Sequence, residues 1–150
     1  MRNVPATTTL LSDEQLYRVR LRSDLWGCYL VIHAWVVIIS VAALFLTYPN
    51  AATYIVAVLV IGSRQLGLLI LMHDAAHNAL FKTPLLNRCV AQCLCAWPTL
   101  ADTHVYRRYH LKHHVHTLQP DDPDIILTGH YPISRKSMRR KFWRDVTGQT

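Results

Sequence analysis

WGCYLVIHAWVVIISVAALFLT fills residues 26–47 and AATYIVAVLVIGSRQLGLLILM fills residues 51–72, with only Tyr48-Pro49-Asn50 between them. The first run carries no Asp, Glu, Lys or Arg. As a helix rising about 1.5 Å per residue it is long enough to cross a hydrocarbon core of about 30 Å. The second matches it in length, broken by Ser63-Arg64-Gln65. Two apolar helices joined by so short a turn make a hairpin with both outer ends on one side. Arg18, Arg20 and Arg22 precede the first run, Lys82 and Arg88 follow the second, and the turn has neither Lys nor Arg. That asymmetry places both outer ends in the cytoplasm.

Two polar side chains interrupt these runs. Arg64 at mid-membrane would cost roughly 2.5–3.5 kcal/mol on insertion scales. It precedes His73 by nine residues, roughly 13 Å along a helix axis. It either faces the bundle, paired to an acid or lining a cavity, or it snorkels or packs against further helices. His33 reads as a polar contact between helices rather than a ligand.

Across 150 residues the chain is 51% hydrophobic yet carries a formal charge of +7, and the two properties are segregated. The length suits one domain. Apolar residues crowd into the two runs, while Lys and Arg gather before them and after Lys82. A membrane protein with basic flanks fits that pattern, and a nucleic-acid partner does not. Residues 1–25 form a cytoplasmic lead-in with no signal-peptide cleavage pattern. Within it, Ser12 and Gln15 suggest a capping box opening a short helix through Arg22. Cys28, Cys89, Cys93 and Cys95 contain no Cys-x-x-Cys pair and read as reduced packing residues.

Beyond the hairpin, Leu85, Leu86, Cys89, Val90, Cys93, Leu94 and Trp97 fall on one helical stripe, opposite Asn87, Arg88 and Gln92. Pro84 suits a first turn and Pro98 ends the helix. At about 14 residues it is too short to span and is expected at the membrane interface. It would return the chain to the bilayer surface, so that His110 can meet His73. Arg135, Lys136, Arg139, Arg140, Lys141 and Arg144, with Met138, Phe142 and Trp143 among them, make a basic segment suited to anionic lipid head groups.

Two histidine clusters flank the interfacial stretch: His73-Asp74-Ala75-Ala76-His77, and His110-Leu111-Lys112-His113-His114 with His116 beyond. On a helix, His at i and i+4 stack on one face about 6 Å apart, the geometry of a shared metal ion. His113 and His114 point roughly 100° apart, so one helix can serve two ions. Imidazole suits zinc, copper, iron and nickel alike. Asp74, Asp102 and the acids of Asp121-Asp122-Pro123-Asp124 are candidates to orient an imidazole through its free N–H. His104, His116 and His130 are not expected to be ligands.

His-Asp-Ala-Ala-His at 73–77, Tyr-Arg-Arg-Tyr-His-Leu-Lys-His-His-Val-His-Thr at 106–117 and Asp-Asp-Pro-Asp at 121–124 resemble the membrane fatty acid desaturase family. Order and spacing are similar to that family's first and second histidine boxes, and the likeness runs from about Leu16 onward. It implies an all-α integral membrane fold: a transmembrane hairpin plus interfacial helices, with the histidine cluster on the cytoplasmic face. It also implies two iron ions held by His73, His77, His110, His113 and His114, and dioxygen as co-substrate. The implied partners are an acyl lipid substrate and an electron donor of ferredoxin or cytochrome b5 type, with no nucleic acid. The implied reaction places a double bond in an acyl chain. The family carries a third box, His-x-x-His-His, which this sequence lacks. The expectation is therefore the N-terminal part of one desaturase-like domain, inactive by itself. Hydroxylases and ketolases acting on lipid, alkane or carotenoid share the boxes. A zinc-dependent membrane hydrolase or a non-catalytic metal- or lipid-binding piece are readings of other classes.

Overall fold

The computed structural model describes residues 11–149, and within them every regular element is helical. Residues 1–10 of the lead-in and Thr150 lie outside the described residues. Two compact units, Met1–Arg107 and Arg108–Thr150, are taken in turn.

The first unit opens with α1, Asp13–Arg20, and its capping box is present. Ser12 Oγ accepts from Gln15 N at 3.3 Å, and Gln15 Oε1 accepts from Ser12 N at 2.9 Å. Helices α2, Asp24–Thr47, and α3, Ala51–Ala76, are long and apolar enough to cross a membrane by length and composition. Asn50 makes the turn between them. Its Oδ1 accepts from Ala52 N at 3.0 Å and Thr53 N at 3.1 Å, while Thr53 Oγ1 donates to Tyr48 O at 2.6 Å.

Packing in the hairpin puts mostly small residues inside, with Leu68 and Met72 the large exceptions, and most large ones outside. Gly27, Val31 and Ala34 of α2 are buried, as are Ala57, Leu68, Met72, Ala75 and Ala76 of α3. Ile32, Ile39, Leu46, Leu59 and Leu66 are all at least 60% exposed. Small contact residues let helix backbones approach closely where burying apolar surface is not the driving force. Gly27 plays the same part towards the loop after α3: an added Cβ would lie 2.5 Å from Phe81 Cδ1 and 2.6 Å from Leu80 O.

Helix α3 stops where the first histidine cluster ends. Asn78 adopts a left-handed φ of 54°, its N–H bonds to Ala75 O at 2.8 Å, and Ala79 N–H bonds to Asp74 O at 2.8 Å. This is a Schellman closure with Asn in the position glycine usually takes. His77 is thereby fixed as the C-cap of α3, with His73 one turn back on the helix.

The expected 14-residue amphipathic helix is not one helix. It divides into α4, Pro84–Val90, a π-helical segment, Ala91–Ala96, and a 3-10 turn, Trp97–Thr99. Pro98 has no N–H to give Leu94 O, the bond a regular helix would require. The Trp35 indole Nε1–H donates to that carbonyl at 3.0 Å instead. The apolar stripe is mostly exposed, with Leu86 and Val90 partly packed against the core, and of the polar residues opposite it only Asn87 is buried. Leu85, Cys89, Cys93, Leu94 and Trp97 are exposed, whereas Asn87, Ala91, Cys95 and Ala96 are buried. Asn87 is inside because the loop before α4 buries the Phe81 backbone. Its side chain accepts from Phe81 N at 3.0 Å and donates to Phe81 O at 2.8 Å. A buried peptide group needs such a partner more than the helix needs another apolar contact.

Three smaller expectations meet their outcome here. His33 is exposed, and its aromatic neighbour is Tyr29 on its own helix, at 5.9 Å between ring centroids, rather than a residue across the hairpin. Arg64 is half-buried, and among the described residues no carboxylate forms an ion pair with it. All four cysteines are free; Cys95 is fully buried, and burial pushes its thiol up to about 12, so it offers no thiolate at neutral pH.

Helix α5, Thr103–His116, begins in the first unit and ends in the second. The rest of the second unit is a tight turn through Leu118, a single helical turn α6, Ile125–Thr128, and α7, Arg135–Thr147. Ser134 caps α7 by accepting from Ser137 N at 3.2 Å, and Gly148 closes it at a φ of 70°. Met138, Phe142 and Trp143 of α7 are exposed beside its six basic side chains.

Candidate metal centre

In the first unit, His73 and His77 are half-buried on the last turn of α3, with ring centroids 4.8 Å apart. His73 Nδ1 lies 3.1 Å from Asp74 Oδ1, and the Tyr106 ring stands edge-on at 6.3 Å. A carboxylate at Nδ1 selects the tautomer with its proton there and leaves Nε2 free to ligate. Asp102, also a candidate, caps the start of α5 by accepting from Val105 N at 2.8 Å.

In the second unit, His110 and His114 lie one turn apart with their rings edge-to-face, ring centroids 4.5 Å apart and Nε2 atoms separated by 2.9 Å. Two imidazole lone pairs at that distance repel unless a proton or a cation lies between them. His113 points elsewhere, as its place in the helical turn requires, and its ring is 5.8 Å from that of His114.

His113 is held from behind. Its Nδ1 is 2.7 Å from Asp122 Oδ1 and 3.4 Å from Asp124 Oδ2. Asp122 is only 2% exposed and accepts two further bonds, from Leu118 N and Asp124 N, each at 2.8 Å. Leu118 has a φ of 61°, an uncommon conformation for a residue with a side chain. The buried carboxylate fixes that turn and the imidazole together. Burial alone would raise the Asp122 carboxyl, but the bonds from His113 and from the Asp124 and Leu118 amides outweigh it and hold it below the ordinary range. The bond to Asp122 raises His113 above its ordinary value, with the charges of Asp122 and Asp124 adding to it against desolvation. Tyr109 hydrogen-bonds to Asp124, which raises its phenol.

Of the acids in the 121–124 loop, Asp122 and Asp124 reach His113, and Asp121 is exposed. Sequence reasoning missed Tyr109 and Tyr106. Tyr109 stands four residues before His113, a same-face spacing that could have marked it. The donor set suits a first-row transition metal, zinc, copper, iron or nickel alike: neutral nitrogens, with carboxylates bracing the imidazoles from behind.

An all-helical chain with two apolar hairpin helices and histidine-bearing helix ends is the class these observations define. The model of the fatty acid desaturase family matches residues 49–150, and the chain belongs to that family. It is also 38% identical over 102 residues to the dihydrorhizobitoxine desaturase of Bradyrhizobium elkanii. That match covers 63% of this chain and 29% of the relative. No solved structure matches the chain.

Proposed function

We propose that the whole protein is an integral membrane, oxygen-dependent di-iron desaturase that places a double bond in an acyl chain. His73, His77, His110, His113 and His114 are its ligands within this chain, facing the cytoplasm. The observation that carries the reading is the approach of His110 Nε2 to His114 Nε2 at 2.9 Å, within a chain of desaturase-family sequence. Exposed large apolar side chains along α2 and α3 support membrane insertion, since so much apolar surface is rarely left to water.

Bound iron would supply dioxygen activation and the electron changes needed to take hydrogen from an unactivated C–H bond, with electrons from a reduced carrier of ferredoxin or cytochrome b5 type. The protein's own residues position and seclude. Asp122 sets the tautomer and angle of His113, Asp74 does the same for His73, and Tyr109 holds Asp124 in place. The remaining ligands are assigned to the third histidine box that the family carries in the whole protein. The relative's name gives dihydrorhizobitoxine as the molecule it desaturates. That favours, as a second reading, a substrate of that kind in place of a long acyl lipid.

Single His→Ala replacements at the five positions should each strip or halve bound iron, and they should bleach the ligand-field bands of a cobalt-substituted protein. His33→Ala and His130→Ala should do neither. Full metal content in His113→Ala would remove the ligand assignment. Turnover that persists without oxygen would overturn the redox reading and favour zinc-bound water as the reagent.

A further inference from the structure

Away from the histidine faces, the first unit contains a cavity of about 390 Å³ lined by Ala75, Ala76, Asn78, Asn87 and Pro84 on one side and by Arg88, Thr103, His104 and Arg107 on the other. Its lining is basic and includes no Asp or Glu. Two polar atoms at this cavity are fully buried without a hydrogen-bond partner: Thr103 Oγ1 and Arg107 Nη1. Thr103 is only 5% exposed. Among the described residues, neither Arg88 nor Arg107 forms an ion pair.

A buried hydroxyl and a buried guanidinium nitrogen left unsatisfied are each costly, and native proteins rarely keep two together without a ligand. The backbone around them is already committed. Thr103 N–H donates to Gln92 Oε1 at 2.9 Å, and the start of α5 is capped by Asp102. Asn87 is used up on Phe81 and Thr83. The walls are thus fixed, while the hydroxyl and the guanidinium are left for something that enters.

We propose that this cavity binds a phosphate oxyanion, with Arg107 and Arg88 supplying charge and Thr103 Oγ1 a hydrogen bond. Guanidinium groups match the fork of phosphate oxygens, and a hydroxyl completes the shell as a neutral donor. The volume exceeds what a bare phosphate fills. It accommodates the phosphoryl headgroup of a lipid as well as inorganic phosphate with water. The site is independent of metal loading and of the desaturase reading.

Binding is measured on the detergent-solubilised 150-residue chain by calorimetry, with two probes: inorganic phosphate and water-soluble dihexanoyl phosphatidate. Saturable binding is expected for at least one. Arg107→Gln should weaken it about tenfold or more, and Thr103→Val, which leaves the charge unchanged, about three- to tenfold, as expected for losing a charge-assisted and a neutral hydrogen bond. Lys82→Gln removes the same charge outside the cavity and should leave affinity within about twofold, as screening of an exposed charge requires. Saturable binding of phosphatidate alone assigns a lipid headgroup; saturable binding of inorganic phosphate assigns the bare anion. Circular dichroism checks each variant's helix content, and Arg107→Lys substitutes if Arg107→Gln does not fold. No saturable binding of either probe overturns the proposal. So does a Thr103→Val protein equal to wild type, or a Lys82→Gln loss as large as that of the Arg107 variant.

Discussion

At the end of α3, His73 and His77 are placed chiefly by backbone, with Asp74 on the same turn reaching the His73 ring: a Schellman closure through Asn78 stops the helix, and a glycine contact seats the following loop against α2. On α5, His113 is held by a side chain, the buried carboxylate of Asp122, which also fixes the turn at Leu118. One region draws its order from helix packing, which reaches far along the chain. The other draws it chiefly from one buried carboxylate nine positions away in sequence, with Asp124 beside it. The first should therefore fail through steric changes and the second through charge and pH.

The largest effect is expected from Asp122→Asn. It leaves His113, Leu118 N and Asp124 N around a neutral amide whose NH2 group meets donors. The turn after α5 should open, seen as faster amide exchange over residues 117–124, while the amides of α3 stay unchanged. His113 titrates with a raised pKa in the metal-free wild type, so its contribution is complete below its ordinary value of 6.5 and is lost as pH rises through the raised value. Asp122, lowered from 3.8, contributes above that value and loses its share as pH falls through the lowered one. Stabilisation by the pair thus fills the window between the two shifted values. In Asp122→Asn the His113 midpoint, read by nitrogen-15 NMR, should fall. An unchanged midpoint would mean that Asp122 does not govern this region.

Gly27→Ala is the steric counterpart. Its Cβ meets both the Phe81 ring and the Leu80 carbonyl, and the carbonyl cannot yield without moving the loop. A loss near the top of the range of about 1–3 kcal/mol for overpacking is expected in thermal unfolding, with the His113 midpoint unmoved. Equal stability would show that the loop after α3 shifts freely.

A smaller change tests the helix end itself. Asn78→Val places a β-branched residue at a φ of 54° and should cost about 1–2 kcal/mol, whereas Asn78→Gly should be nearly neutral or slightly stabilising. Equal losses in both would indicate that the Asn78 side chain, and not its backbone, matters.

The apolar runs and the i, i+4 histidines made the long helices and the histidine positions legible, because run length and helical spacing are local properties. The stretch from Pro84 to Thr99 was legible only in part, because an apolar stripe does not tell where a regular helix gives way to a π-helical segment and a 3-10 turn. There much of the apolar stripe is exposed, and Asn87 is drawn inward by the Phe81 backbone six residues before it, a need that no side-chain periodicity signals. Which acid of the 121–124 loop turns inward was equally hidden. It depends on the left-handed residue at Leu118, and a leucine gives no signal for that conformation.

Mostly small residues inside and mostly large ones outside also set the thermal behaviour of the molecule. Half of the buried apolar side chains among the described residues are alanines. With the large apolar faces of α2 and α3 in lipid or detergent, unfolding brings little apolar area into water, and the heat-capacity change should be low for a chain of this length. The stability curve is then shallow: it neither peaks sharply near room temperature nor falls steeply on cooling.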